Sequence, residues 1–468
     1  MSHEQGKLKK AMRPIDVWGL ALGAIIGWGC FVLPGNAFLP KAGPLGTAIG
    51  MLIGSALIIV IALSYGYLIQ KYPTSGGEFV YTKETMGKGH AFICGWGMIL
   101  AYWSLVPLNA TALALISRYL FPGIIQQGLL YSVAGWDVYA GEVIVASVFI
   151  VIMALVNIYG IKQAAWMQTA IALTLVGGIL VVSALVFATE PDLANLTPAF
   201  PEGRKWWTGV FSIVAMAPWA YIGFDCIPQS AEEYNFSHRR STRIMIEAIV
   251  IAAILYILIN TITAVGFQPW QELLTNKEAA WATGYVVKNV LGTAGLVLLG
   301  IAMFCAVISG MNAFYISTSR LMYAMSQDGA LPKIFGRLGV KHGTPRNAIF
   351  FVMIMSLSAP WFGRQVLSWI VDMTSVGAAV VFAYTTAAAA IIARKHGHTS
   401  QRWVGIIGCI FSLFFLSLLI VPGMPGFLGI ESQICLGVWV LLGIVFYLIR
   451  RNGYLREQRQ NQNNPSKK

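Results

Sequence analysis

The stretch Leu22-Gly23-Ala24-Ile25-Ile26-Gly27-Trp28-Gly29-Cys30-Phe31-Val32-Leu33-Pro34-Gly35 lies inside an apolar run and is studded with helix-breaking residues. Glycine loses the most backbone entropy on ordering, so a helix is weakest where glycines gather. Gly27 and Gly29 are two apart and do not line one helix face, which favours a break in the helix over the alternative of close packing alone. Gly46, Gly50 and Gly54, spaced by four, do fit close helix approach. A second apolar run is interrupted in the same way, at Ala217-Pro218-Trp219-Ala220-Tyr221-Ile222-Gly223-Phe224-Asp225-Cys226-Ile227-Pro228-Gln229. In hydrocarbon, the N–H and C=O groups freed by a break must meet water or a ligand. Freed amides suit an anion and freed carbonyls an ammonium. Interrupted apolar segments in matching positions of two halves point to a solute site near the bilayer midplane.

Outward from these stretches, the 468-residue chain is 57% hydrophobic and only 11% charged, against about 25% charged in soluble proteins. So few charges cannot cover a water-facing surface, and lipid must surround most of the chain. Twelve segments have the roughly 20 apolar residues of a spanning helix. They are 15–38, 44–70, 91–117, 141–160, 163–188, 209–232, 243–267, 285–318, 346–361, 366–393, 403–421 and 433–449. The sequence therefore predicts an all-α polytopic membrane protein with twelve transmembrane helices, the first and sixth discontinuous. The polar tail from 450 to 468 is expected to be disordered.

The net charge of +13 sits in short loops between apolar runs, as membrane topology requires, and no basic domain could track nucleic acid. With both termini cytoplasmic, all but seven of the 32 Lys and Arg fall on the cytoplasmic side. The seven are Lys41, Arg118, Arg204, Lys205, Lys277, Lys288 and Arg364. A multi-pass protein of the cytoplasmic (inner) membrane is expected, with 1–14 a cytoplasmic N-terminal segment and the first apolar run a span, not a signal peptide. The six cysteines form no C-x-x-C pair and read as small buried hydrophobes. No cofactor or metal is expected.

Asp225 lies mid-span, where a charge costs roughly 3 kcal/mol or more. It reads as a proton site, a counter-ion to a substrate ammonium, or a carboxyl capping the backbone of its own break. Asp372 is near a span end. Glu232 and Glu233 end the sixth span beside the basic loop at His238, Arg239 and Arg240, and read as cytoplasmic ion pairs in preference to substrate ligands. Trp28 and Trp219 differ from interfacial tryptophans because they lie in the breaks, where they could stack on a solute or close over it.

Four motifs in order resemble the amino acid–polyamine–organocation superfamily of permeases. They are Gly23 to Phe31; Pro73-Thr74-Ser75-Gly76-Gly77-Glu78-Phe79-Val80-Tyr81 with Gly95-Trp96; Tyr221 to Asp225 leading to Ala231-Glu232-Glu233; and Ser319-Arg320-Leu321-Met322-Tyr323 through Pro332, closing with Thr344-Pro345. The resemblance implies the leucine-transporter-like five-plus-five inverted repeat. Residues 15–188 and 209–393 would be the two repeats, and 403–449 two additional helices. It also implies alternating access and a site between spans one and six. The substrate carboxylate would meet the amides of Gly27, Trp28 and Gly29, with Cys30 next in the same motif. The amine would meet carbonyls at Ile25, Trp219 and Ile222. Asp225 matches a position tied to protons or to a substrate amine. The sequence departs from the family pattern in three places. Trp28 stands where a small residue is usual, Leu175 stands near the place of a family lysine, and the loop after Glu233 lacks Asn-Pro.

The expected function is secondary transport of an amino acid or small organic amine, proton-coupled or by exchange. A membrane enzyme would need clustered His, Asp or Cys, a channel a repeated pore motif, a sensor an output domain, and an ATP-driven pump a phosphate loop. None is visible in the sequence.

Overall fold

Pro14 opens α1 (Pro14–Ile25) at the position where a missing N–H is tolerated. Asp16, in its first turn, accepts from the Arg13 amide at 2.9 Å and from Thr169 Oγ1 at 2.9 Å. A computed structural model describes residues 10, 12–121, 123–133, 136–159, 161–279, 281–339, 342–363 and 365–463. Helical structure stops after Ile25 and resumes in α2 (Gly29–Leu33). A wider π turn over Pro34–Phe38 leads into α3 (Leu39–Lys71). Within α3 the backbone turns a corner at Gly43, whose φ of +69° favours glycine. The first two apolar segments of the sequence are thus joined end to end.

A connecting helix, α4 (Gly77–Met86), precedes α5 (Lys88–Leu120). Strands β1 (Leu129–Val133) and β2 (Trp136–Tyr139) pair antiparallel as a hairpin before α6 (Ala140–Tyr159) and α7 (Ile161–Ala188). The second interrupted run forms α8 (Trp206–Ala215), α9 (Ala217–Ala220) and α10 (Cys226–Gln229), with residues 221–225 non-helical. Then come α11 (Arg239–Val265), α12 (Trp270–Thr275) and α13 (Ala282–Gln327), the last bent at Gly292. Helices α14 (Arg346–Ser356), α15 (Gln365–Lys395), α16 (Thr399–Ile420) and α17 (Ile430–Asn463) complete the chain.

Among the described residues, nine helical stretches are long and apolar enough to cross a membrane. The sequence predicts twelve. Two of its segments merge into the single stretch Pro14–Lys71, and those at 209–232 and 346–361 fall on the shorter apolar helices Trp206–Ala215 and Arg346–Phe362. Helix α17 also runs on to Asn463, over part of the tail expected to be disordered. Leu, Arg, Glu and Gln in Tyr454-Leu455-Arg456-Glu457-Gln458-Arg459 are good helix formers, and a helix already nucleated extends through them at little cost.

The interrupted elements sit at the centre. Helix α1 packs against α7, α11 and α13, and α10 against α1, α4 and α13. Of its most apolar 18-residue window, α5 buries 82% and α17 only 11%, which separates an inner helix from one facing lipid.

Three of the four sequence motifs meet on the face that carries Met12. Glu232 Oε1 accepts from the Ser75 amide at 3.0 Å, Glu233 pairs with the buried Arg320 at 3.0 Å, and Lys83 pairs with Asp328 at 2.7 Å. Glu233 thus forms an ion pair, as expected, with Arg320 as its partner, while Glu232 takes a backbone amide. A buried carboxylate takes the guanidinium that reaches it inside the protein, while Arg239 and Arg240 stay exposed. The Met12 amide donates to the Glu233 carbonyl at 2.9 Å, and the Asn235 amide to the Met12 carbonyl at 3.1 Å.

Candidate functional site

At the first break the helical ladder fails within one turn. The Gly27 amide turns back to the Ile25 carbonyl at 3.1 Å, not to that of Gly23, and the ladder restarts with Cys30 on Gly27 (3.3 Å) and Phe31 on Trp28 (3.0 Å). At the second break the Ile222 amide reaches Trp219 O at 3.4 Å and the Cys226 amide reaches Gly223 O at 3.1 Å. Between them Gly223 has φ +131°, and its amide donates to Asp225 Oδ1 at 2.6 Å.

The two breaks touch directly. A Cβ on Gly223 would stand 2.7 Å from both Ala24 Cβ and the Ile25 nitrogen. On the other side, a Cβ on Gly29 would meet Trp219 Cη2 at 2.2 Å, so the Trp219 indole rests on a bare stretch of backbone. Trp28 and Trp219 meet edge to face with centroids 6.1 Å apart, a favoured aromatic geometry.

Between the breaks lies a cavity of about 20 Å³, walled by Ile25, Gly27, Trp28, Gly29, Trp219 and Ile222. That is room for roughly one water molecule, and a solute of several heavy atoms needs the walls to move. Six of the eight residues singled out by the sequence are thus brought together. The wall does not include the other two. Cys30 Sγ lies 3.9 Å from the Leu255 carbonyl, and Asp225 is buried beside the cavity, its Oδ1 taken by Gly223.

Ala24 of α1 and, from other helices, Leu105, Asn109, Tyr256 and Phe314 complete the wall, and sequence reasoning missed them. Tyr256 Oη donates to the Ile25 carbonyl at 3.4 Å, one partner for the freed backbone. Asn109 Nδ2 donates to Leu105 O at 2.8 Å, while its Oδ1 faces Gly27, 3.2 Å from where a Cβ would be. A signal for Asn109 did exist, as an amide just after Pro107 in an apolar helix. Among the described residues, Asn109 Oδ1 and the indole Nε1 of Trp28 and Trp219 have no hydrogen-bond partner. A buried polar atom left unpaired costs about 1–3 kcal/mol, so three around one cavity fit a polar occupant. The described wall carries no Lys, Arg, Asp or Glu. Among the described residues no group of three or more His, Cys, Asp or Glu could hold a metal ion.

The model of the amino acid permease family matches residues 14–446. A branched-chain amino acid permease, BcaP of Bacillus subtilis (strain 168), is 26% identical over 94% of this chain and 93% of its own length. The methylthioribose transporter of the same organism is 25% identical over 94% of this chain and 93% of its own. Its aspartate–proton symporter is 26% identical over 76% of this chain and 67% of its own. These relatives are named as transporters, not enzymes.

Proposed function

The chain belongs to the amino acid permease family, within the amino acid–polyamine–organocation superfamily, and on that premise we propose that it is a secondary transporter of a neutral amino acid, bound between its two helix breaks. Twelve spans, a five-plus-five inverted repeat over 15–188 and 209–393, and both termini on the cytoplasmic side complete the reading. The observation that carries it is the meeting of the two breaks around a cavity with three unpaired polar atoms. An α-carboxylate would take the amides of Trp28 and Gly29 and the indole N–H groups. An α-ammonium would take Asn109 Oδ1 and carbonyls of the first break. The remaining wall is Leu105, Ile222 and Phe314, which suits an apolar side chain.

Transport follows from the small cavity. A site this tight cannot be open to both sides at once, so the walls must part toward one face and then the other. Trp28 and Trp219, which close the space by edge contact, are the groups that swing. Asp225, one turn from Ile222, holds a spare oxygen where a proton could ride with the solute. A relative named for aspartate–proton symport favours such coupling over exchange.

A second reading, a small organic amine, rests on Trp28, whose indole narrows the side where a carboxylate would lie. Purified protein in proteoliposomes, screened with labelled amino acids and amines under an imposed proton gradient, separates the two. Saturable uptake of leucine, isoleucine or valine supports the amino acid. Uptake confined to decarboxylated analogues moves the assignment to amines, and uptake of neither class overturns the reading. Asp225→Asn is expected to cut gradient-driven uptake while the protein still reaches the membrane, and unchanged uptake at every pH removes Asp225 from coupling.

A further inference from the structure

Next to the cavity, toward the face that carries Met12, lies a second polar cluster that the solute site does not use. Asp225 stands at the N-cap of α10 and Gln229 at its last residue, four positions on. Gln229 Nε2 donates to Glu78 Oε2, which joins α10 to the connecting helix α4. A Cβ on Gly77 would stand 3.0 Å from Gln229 Nε2, so glycine lets the two elements close. Glu78, Asp225 and Gln229 are each 0% exposed.

Each acid keeps one oxygen free. Among the described residues, Asp225 Oδ2, Glu78 Oε1 and Gln229 Oε1 have no hydrogen-bond partner, nor do the hydroxyls of Tyr65 and Tyr102. The Tyr65 hydroxyl stands beside Glu78 and the Tyr102 hydroxyl beside Asp225. So many unpaired atoms in one buried place would cost several kcal/mol, and proteins fill such places with hydrogen-bonded water or a ligand. Neither acid makes an ion pair among the described residues, so no fixed cation holds them both ionised.

We propose that Glu78 is a second proton-carrying carboxyl, which receives the proton of Asp225 through the hydroxyls and water between them and passes it to the face bearing Met12. The proposal rests on the permease reading, in which Asp225 couples transport to protons. In the transfer an O–H bond breaks at Asp225 Oδ2 and one forms at Glu78 Oε1, while each bridging hydroxyl or water accepts one proton and gives up another and so ends with as many as it began. The groups facing the pair are Tyr65 from α3, Tyr81 on α4, Cys94 and Tyr102 from α5, and Cys226 from α10. Helices α13 and α15 contribute the hydroxyls of Ser317 and Thr385. Glu233, in the turn after α10, is paired with Arg320 at 3.0 Å. Burial first, and then the charge of Asp225, raise the Glu78 carboxyl above its ordinary range. It therefore binds a proton more readily than a surface glutamate, as a relay requires.

Infrared difference spectra of the purified full-length protein, recorded across pH, test the pair without any substrate. Glu78→Gln should remove one protonated-carboxyl band. Asp225→Asn should lower the titration midpoint of the Glu78 band, because it removes the neighbouring charge that helps to raise it. A spectrum unchanged by Glu78→Gln, or a midpoint unmoved by Asp225→Asn, overturns the proposal. Should Glu78→Gln fail to fold, the Asp225→Asn shift alone decides, because that protein keeps Glu78. In proteoliposomes with labelled leucine, Glu78→Gln should lose proton-driven accumulation but keep leucine counterflow, with Glu78→Asp restoring part of the accumulation. Accumulation at the wild-type level in Glu78→Gln also overturns it. A wild type that moves no leucine counts against the substrate assignment, while the spectra still decide the relay.

Discussion

Gly223 holds the two breaks together with no side chain at all. Its φ of +131° is a conformation that L-residues rarely adopt, and a Cβ would collide with Ala24 and the Ile25 nitrogen. Backbone cannot step aside as a flexible side chain can. Gly223→Ala is expected to cost about 1–3 kcal/mol and to abolish uptake. Thermal unfolding in detergent and uptake in proteoliposomes measure this, and wild-type values in both would mean the breaks have room to spare. Gly29→Ala meets the Trp219 ring, which can swing, so it should cost less stability and act mainly on solute closure.

Glu78 offers a pH test at the same scale. Its carboxyl is raised from an ordinary value of 4.5, by burial first and by Asp225 second. A group raised in the folded state favours folding fully below its unfolded value, and that advantage is lost as pH rises through its folded value. The melting temperature of the wild type should therefore fall relative to that of Glu78→Gln as pH climbs from 4.5. Parallel curves for the two proteins would contradict this.

Between elements, the buried pair of Glu233 with Arg320 joins the turn after α10 to α13. Removing one partner leaves an uncompensated buried charge. Arg320→Met is expected to destabilise by about 3–5 kcal/mol, and adding Glu233→Gln should recover much of that. A double-mutant cycle on unfolding midpoints checks it, and strict additivity would show that the two side chains do not interact.

This is also the level at which the sequence was legible and then ceased to be. Long apolar runs announced the helices, because hydrocarbon leaves the backbone few alternatives. Clustered Gly and Pro announced both breaks for the same reason. Asn109, Tyr256 and Phe314 were hidden because they arrive from α5, α11 and α13, and nothing local in a sequence records which face of a distant helix turns inward. Asp225 illustrates the converse. Three residues from Ile222, it looked like part of the same wall, but the irregular turn at 221–225 carries its carboxyl out of the cavity wall and toward Glu78.

For the whole molecule, the face bearing Met12 is shut by contacts of separate origin. Met12 forms a short strand bridge with the segment at Glu233 and Asn235, Arg13 and Thr169 hold Asp16, and Lys83 holds Asp328. Cys226, fully buried behind this closure, is a natural reporter. With the other five cysteines replaced by alanine, Asp16→Ala should speed maleimide labelling of Cys226 roughly tenfold or more, since it removes the four hydrogen bonds that Asp16 accepts from Arg13 and Thr169. An unchanged labelling rate would show that this closure does not gate access to Cys226.

The bare contact of Gly223 on Ala24 and Ile25 has a mechanical consequence. Two strips of main chain pressed together behave like meshed teeth, with no pliable padding to absorb slip. Tilting either strip must drive the other, so a solute that grips only one would still report its arrival to both halves of the machine.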